Sequence, residues 1–175
     1  MIMSESSSQT ADRGVAENRV LEVLKSVQDP EIPVLSIVDL GIVRGVSVGE
    51  RGEVRVKLTP TYSGCPATEV IEGMVLGSLR AAGFDNVAVE RVLAPAWTSD
   101  WISQAGREKL REYGIAPPVQ SVSSIRGLIR GAVAVRCPQC NSEDTSMISE
   151  FGSTPCKALY RCNECREPFD YFKCH

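Results

Sequence analysis

The sequence predicts an α+β protein: a small domain of two helices and three strands, then a separate β-ribbon at the C-terminal end. Three observations predict it. Apolar residues recur at helical spacing in two stretches, Val20, Leu21, Val23, Leu24 and Val27, then Val70, Ile71, Met74, Val75 and Leu79. Between them Val54, Val56 and Leu58 alternate with Arg55 and Lys57, the pattern of a strand with one buried face. Finally, two Cys-x-x-Cys pairs, Cys137/Cys140 and Cys162/Cys165, stand twenty-one residues apart around short strand-like segments.

The whole chain sets bounds. Its 175 residues suffice for one medium domain and a small one. Hydrophobic content of 43% and charged content of 23% fit a soluble globular protein. A net charge of −3 provides no general basic field for nucleic acid or anionic membrane. No apolar run approaches the ~20 residues of a membrane span. Residues 1–14 are Ser-rich at their start, lack the pattern of a secretory signal and read as disordered. Seven cysteines, four in Cys-x-x-Cys pairs, with no secretory signal, point to a reducing, cytoplasmic setting. The single histidine is His175, the last residue. A Ser-His-Asp triad, a two-histidine iron site and an HExxH protease are thereby excluded.

In chain order, residues 15–95 form the first domain. The first helix ends at Asp29-Pro30, because proline disfavours helix in the residue before it. Residues 29–43 mix two prolines and three carboxylates with many large apolar residues, so this is a packed irregular entry into a strand. Residues 42–48 and 53–58 pair as a hairpin across Gly49-Glu50-Arg51-Gly52. The second helix starts near Pro66 and stops at Gly83. Residues 86–93 supply the third strand, and both helices cover one face of the sheet.

Residues 96–132 are an extension and linker. Thr98 is an N-cap candidate, Asp100 suits a first turn, and Trp97 is placed to staple onto Ile102. That helix carries Ile102, Ala105 and Leu110 and ends at Gly114, before Pro117-Pro118. Residues 120–131 link to the ribbon, and their Ile125, Leu128 and Ile129 suggest packing on a partner.

Residues 133–175 are the ribbon. Four thiolates from two knuckles can occupy the corners of a tetrahedron, the arrangement of structural Zn²⁺. A tail of about forty residues buries too little apolar surface to fold alone, and a metal supplies what is missing. Four cysteines also serve iron–sulfur clusters, but ribbon spacing favours zinc. Cys156 and Cys174 stand alone: bystanders, thiols that lie near the metal or pass metal or sulfur toward a client, or, for Cys156, an exchange ligand.

Outside the ribbon the residue with chemistry is Cys65. It sits at the mouth of the second helix, after Gly64, which lets the backbone approach closely, and before Pro66. A thiol at a helix N-terminus is shifted toward the reactive thiolate. A free cysteine also serves as a small apolar gap filler. Asp29, Glu31 and Asp39 offer oxygen ligands beside it, or serve as turn formers.

These residues resemble a known family. Asp29-Pro30-Glu31-Ile32-Pro33-Val34, Ser36-Ile37-Val38-Asp39-Leu40-Gly41-Ile42-Val43 and Thr61-Tyr62-Ser63-Gly64-Cys65-Pro66 are similar to the small domain of SufT and the eukaryotic cytosolic iron–sulfur targeting factors, over about residues 16–95. Pro95-Ala96-Trp97-Thr98-Ser99-Asp100-Trp101, the stretch from Lys109 to Pro117 and Glu167-Pro168-Phe169-Asp170-Tyr171-Phe172-Lys173-Cys174 resemble the PaaD family, accessory proteins of the phenylacetyl-CoA epoxidase. The resemblance implies a non-catalytic factor that matures metal centres, with Cys65 as the key thiol and Asp29, Glu31 and Asp39 around it. It implies transient iron or an iron–sulfur cluster as cargo. The implied partners are the oxygenase subunit with its di-iron centre, the reductase with its cluster, and the iron–sulfur assembly machinery.

Alternatives come from other classes. A scaffold subunit of the oxygenase would co-purify in fixed stoichiometry. A nucleic-acid-binding zinc ribbon meets an adverse charge: residues 137–175 hold six acidic side chains (Glu143, Asp144, Glu150, Glu164, Glu167, Asp170) against four basic ones (Lys157, Arg161, Arg166, Lys173). A four-thiolate zinc site adds negative charge and repels phosphate. An enzyme with a Cys65 nucleophile needs a base, normally histidine, which the first domain lacks.

Overall fold

The computed structural model describes residues 5–119 and 135–173. Residues 120–131, Cys174 and His175, on which parts of the sequence reading fell, lie outside them. The chain divides into two compact units, residues 1–97 and 98–175.

The first unit is a three-stranded sheet with two helices on one face. Helix α1 spans Glu5–Lys25, strands β1 and β2 span Val43–Val48 and Val54–Leu58, helix α2 spans Ala67–Ala81 and strand β3 spans Val87–Arg91. The sheet order is β1-β2-β3. β1 and β2 are antiparallel, while β3 runs parallel to β2 after the crossover through α2. Val54, Val56 and Leu58 are buried and Arg55 and Lys57 exposed, so one face of β2 is covered. The covering layer is α1 with Val20 and Leu24, and α2 with Ile71, Val75 and Leu79, all buried. The two helices pack on each other, α1 against β1 and α2 against β3.

Two differences from the sequence reading have local causes. Residues 5–14, expected as part of a disordered start, are the first turns of α1; a helix once nucleated extends through Ser, Gln and Ala at little cost per residue. The alternation of residues 42–48 is only partial because the ladder shifts register between Val43 and Gly45, a bulge that places Arg44 opposite no partner in register.

The irregular segment before β1 packs as expected. Ile32, Leu35, Ile37, Leu40 and Ile42 are buried. Asp29 Oδ1 accepts the N–H groups of Glu31 and Ile32 at 2.8 and 2.9 Å. Asp39 Oδ2 accepts from the Ser36 N–H and hydroxyl, and Ser36 Oγ accepts from the Asp39 N–H. These side-chain bonds satisfy backbone donors that no ladder can reach. Trp97, 4% exposed, donates its indole N–H to Leu40 O at 2.9 Å and fastens the end of the unit to this segment.

The second unit begins with a 3₁₀ turn, Ser99–Trp101, capped by Thr98 Oγ1 accepting from Asp100 N–H. Helix α3, Gln104–Glu112, has its own cap: Ser103 Oγ accepts from Gly106 N–H at 2.9 Å. Arg107 is buried, yet its guanidinium donates to Ser99 O and Pro118 O, tying the chain on both sides of α3 together. Strand β4, Ile115–Ala116, was not foreseen. It pairs parallel to β7 and completes a four-stranded sheet, β4-β7-β6-β5, with β5 at Thr145–Ser149, β6 at Lys157–Cys162 and β7 at Pro168–Phe172. Part of the expected extension is therefore an integral strand of the ribbon's sheet.

Candidate metal centre and cysteine cavity

The four-thiol centre grows out of two knuckles of the same build. Cys137 N–H donates to Ser142 O at 2.9 Å, and Cys162 N–H donates to Glu167 O at 3.0 Å, the same five-residue step. In both, the residue after the second cysteine turns left-handed, Asn141 at φ 63° and Arg166 at φ 69°. Ser142 and Glu167 point backbone N–H groups at the sulfurs of Cys140 and Cys165. Each knuckle thus curls its backbone donors toward sulfur, the geometry that stabilises thiolates.

The knuckles converge. The Sγ atoms of Cys137, Cys140, Cys162 and Cys165 all lie within 4.8 Å of one another. Cys137 Sγ is 3.7 Å from Cys165 Sγ, and Cys140 Sγ is 3.5 Å from Cys162 Sγ. Four sulfurs at ~2.3 Å from a tetrahedral zinc are about 3.8 Å apart, so spacing and donor chemistry both fit Zn²⁺. Cys137 and Cys162 are buried in a cluster with Ala116, Val135 and Phe169, against which Tyr160 and Tyr171 pack. The centre is part of the ribbon's core, and strand β4 contributes Ala116 to it.

The thiols divide their protons unequally. Burial pushes Cys162 up, but the N–H groups of Cys165 and Glu164 and the thiols of Cys140 and Cys165 hold it down, to about 7. For Cys165 the Glu167 N–H favours the thiolate. Burial and hydrogen bonds with Cys162, Cys140 and Cys137 override it, pushing the group up to about 12. A bound metal would displace the remaining protons.

Cys156 lies apart from this set. It is buried, with Sγ 3.0 Å from Thr154 Oγ1.

Cys65 is in the other unit. It immediately precedes the α2 N-cap, Pro66, and its N–H bonds to Tyr62 O. Gly64 holds φ at +94°, a backbone that other residues rarely adopt. A Cβ at Gly64 would meet nothing within 4 Å, so the expected close approach of backbone is corrected: the glycine serves conformation.

Cys65 lines a small cavity of ≈ 20 Å³ together with Asp29, Ile42, Leu58, Thr59 and Ile71. Asp29 and Cys65 both line this cavity. Glu31 and Asp39 are not among the lining residues. Thr59 was passed over in the sequence. It opens the loop that follows β2, and it is 2% exposed. Only its place beside the Gly-Cys-Pro loop could have drawn attention to it.

Comparison with known proteins covers both units. Residues 17–90 match the model for an iron-sulfur cluster assembly protein, and residues 122–173 match that for the PaaD zinc beta ribbon domain. An Escherichia coli protein provisionally named as a subunit of the 1,2-phenylacetyl-CoA epoxidase is 52% identical over 157 residues, 90% of this chain and 92% of that one. An Fe-S protein maturation auxiliary factor of Porphyromonas gingivalis is 35% identical over 56% of this chain and 90% of its own length. The crystal structure of a domain of unknown function, DUF59, from Bacillus anthracis superposes with a TM-score of 0.55 at 27% identity. It covers 58% of this chain and 96% of that domain.

Proposed function

The chain belongs to the PaaD family, and on that premise we propose that it is a non-catalytic accessory factor that matures metal centres of a phenylacetyl-CoA epoxidase in aerobic phenylacetate degradation. The observation that carries the reading is the meeting of Cys65 and Asp29 at one cavity, at the start of α2, inside the iron–sulfur assembly domain. Relatives matching that domain carry the name maturation auxiliary factor.

In this reading Cys65 holds iron or a cluster in transit as cargo, and Asp29 shapes its surroundings. The clients are the di-iron oxygenase subunit or the iron–sulfur reductase, reached with the help of iron–sulfur assembly proteins in the cytoplasm. Among the described residues no helix is long and apolar enough to cross a membrane. The ribbon is the structural half: Cys137, Cys140, Cys162 and Cys165 hold Zn²⁺, which supplies a fixed tetrahedral node for the sheet.

The test is the metal content and activity of the epoxidase from cells carrying Cys65→Ala. Maturation predicts that oxygenase or reductase loses metal while this protein stays folded. Unchanged client metal and activity would sink it. The designation of the Escherichia coli relative as a subunit favours a second reading, a scaffold within the oxygenase. Scaffolding predicts stable co-purification in fixed stoichiometry and indifference to Cys65→Ala.

A further inference from the structure

Thr59 is the anomaly of the first unit. Its Oγ1 is the buried side-chain nitrogen or oxygen that has no hydrogen-bond partner among the described residues. A buried hydroxyl left unpaired costs about 1–3 kcal/mol, so its retention calls for something that completes it. Its backbone N–H bonds to Ile42 O at 2.8 Å, which fixes the side chain beside the cavity that Cys65 also lines.

The cavity selects its occupant by size and lining. Its ≈ 20 Å³ admits roughly one water-sized atom. Ile42, Leu58, Pro60 and Ile71 supply the apolar part of the wall, and Asp29, Thr61 and Thr68 line it as well. A single sulfur atom is polarisable, tolerates an apolar wall and accepts a hydrogen bond.

Resting on the reading of Cys65 as the working thiol, we propose that this cavity seats one sulfane sulfur carried by Cys65 as a persulfide, with Thr59 Oγ1 donating to the terminal sulfur. The Cys65 thiolate attacks the outer sulfur of a donor persulfide, R–S–SH. The donor S–S bond breaks, a Cys65 Sγ–S bond forms, the proton stays on the transferred sulfur, and the donor leaves as the thiolate R–S⁻. No electron is gained or lost overall. The partial positive charge at the start of α2, a helix of 15 residues, favours the anionic form of the terminal sulfur.

The experiment uses the full zinc-loaded chain and glutathione persulfide as donor. After removal of excess donor, the peptide containing residue 65 is followed by mass spectrometry for one added sulfur. Wild type gains and keeps it. Thr59→Val loses it about tenfold faster, the effect of one hydrogen bond to a charged acceptor, whereas Thr59→Ser keeps it. Thr59→Ala, which should behave as Val does, serves if Val does not fold. An ordered water satisfying Thr59 instead predicts equal lifetimes in Thr59→Val and wild type, and that result overturns the proposal, as does the absence of added sulfur on Cys65. Either result, with client metal still lost in Cys65→Ala cells, refutes the persulfide alone and leaves the maturation role standing.

Discussion

Asn141 and Arg166 share one backbone conformation, φ 63° and φ 69°, each one residue beyond the second cysteine of its knuckle. The left-handed turn lets the next N–H groups face sulfur, and it costs a residue with a Cβ about 1–2 kcal/mol. Asn tolerates the conformation better than Arg does. Arg166→Gly should therefore raise the stability of the zinc-loaded ribbon by about 1 kcal/mol, and Arg166→Val should lower it. Thermal melts at fixed zinc decide this, and equal melting of the Gly and Val variants would count against the argument.

Removal of zinc should dissolve the ribbon's sheet. Cys137 and Cys162 are core residues as well as candidate ligands, and a buried thiolate left without a metal is costly. A strong chelator should abolish amide-exchange protection in β6 and β7, and reloading at pH 7 should release protons as the thiols become metal-bound thiolates. Protection that survives chelation would show that the sheet does not depend on the metal.

The conformation of Gly64 predicts a split between stability and reactivity. Gly64→Ala forces a side chain to φ +94° and should cost about 1 kcal/mol or more. It should also change the labelling rate of Cys65, because that backbone sets the thiol at the cavity. Alkylation in native protein with Cys65→Ala as the blank gives the comparison. An unchanged rate would mean that Cys65 is positioned by something else.

Helix α2 carries Gly73 and Gly77 on its exposed side, with nothing within 4 Å of an added Cβ. Gly73→Ala should stabilise the chain by about 0.5–1 kcal/mol through helix propensity. Leu79→Ala, at a fully buried position of the same helix, should destabilise by about 2–5 kcal/mol. Denaturant midpoints measure both, and a destabilising Gly73→Ala would reveal a contact on that face.

Much of this was legible in the sequence because it is local. The periods of α2 and β2, the spacing of the knuckles and the Gly-Cys-Pro start of α2 depend on residues close together in the chain. The same holds for the clustering of the four thiols: each knuckle pre-organises two sulfurs, and only one meeting between knuckles remains to be made. Tertiary structure decided what locality cannot encode. β3 lies parallel to β2, since the crossover through α2 sets direction. Ile115–Ala116 joins the ribbon because an open edge of β7 was there to be paired. Thr59, at the start of the loop after β2, is buried and lines the same cavity as Cys65 and Asp29, while Glu31 and Asp39 do not line it. The sequence by itself determined which atoms are capable of chemistry; the packing of distant segments, by burying some and leaving others at the surface, decided which of them face one another.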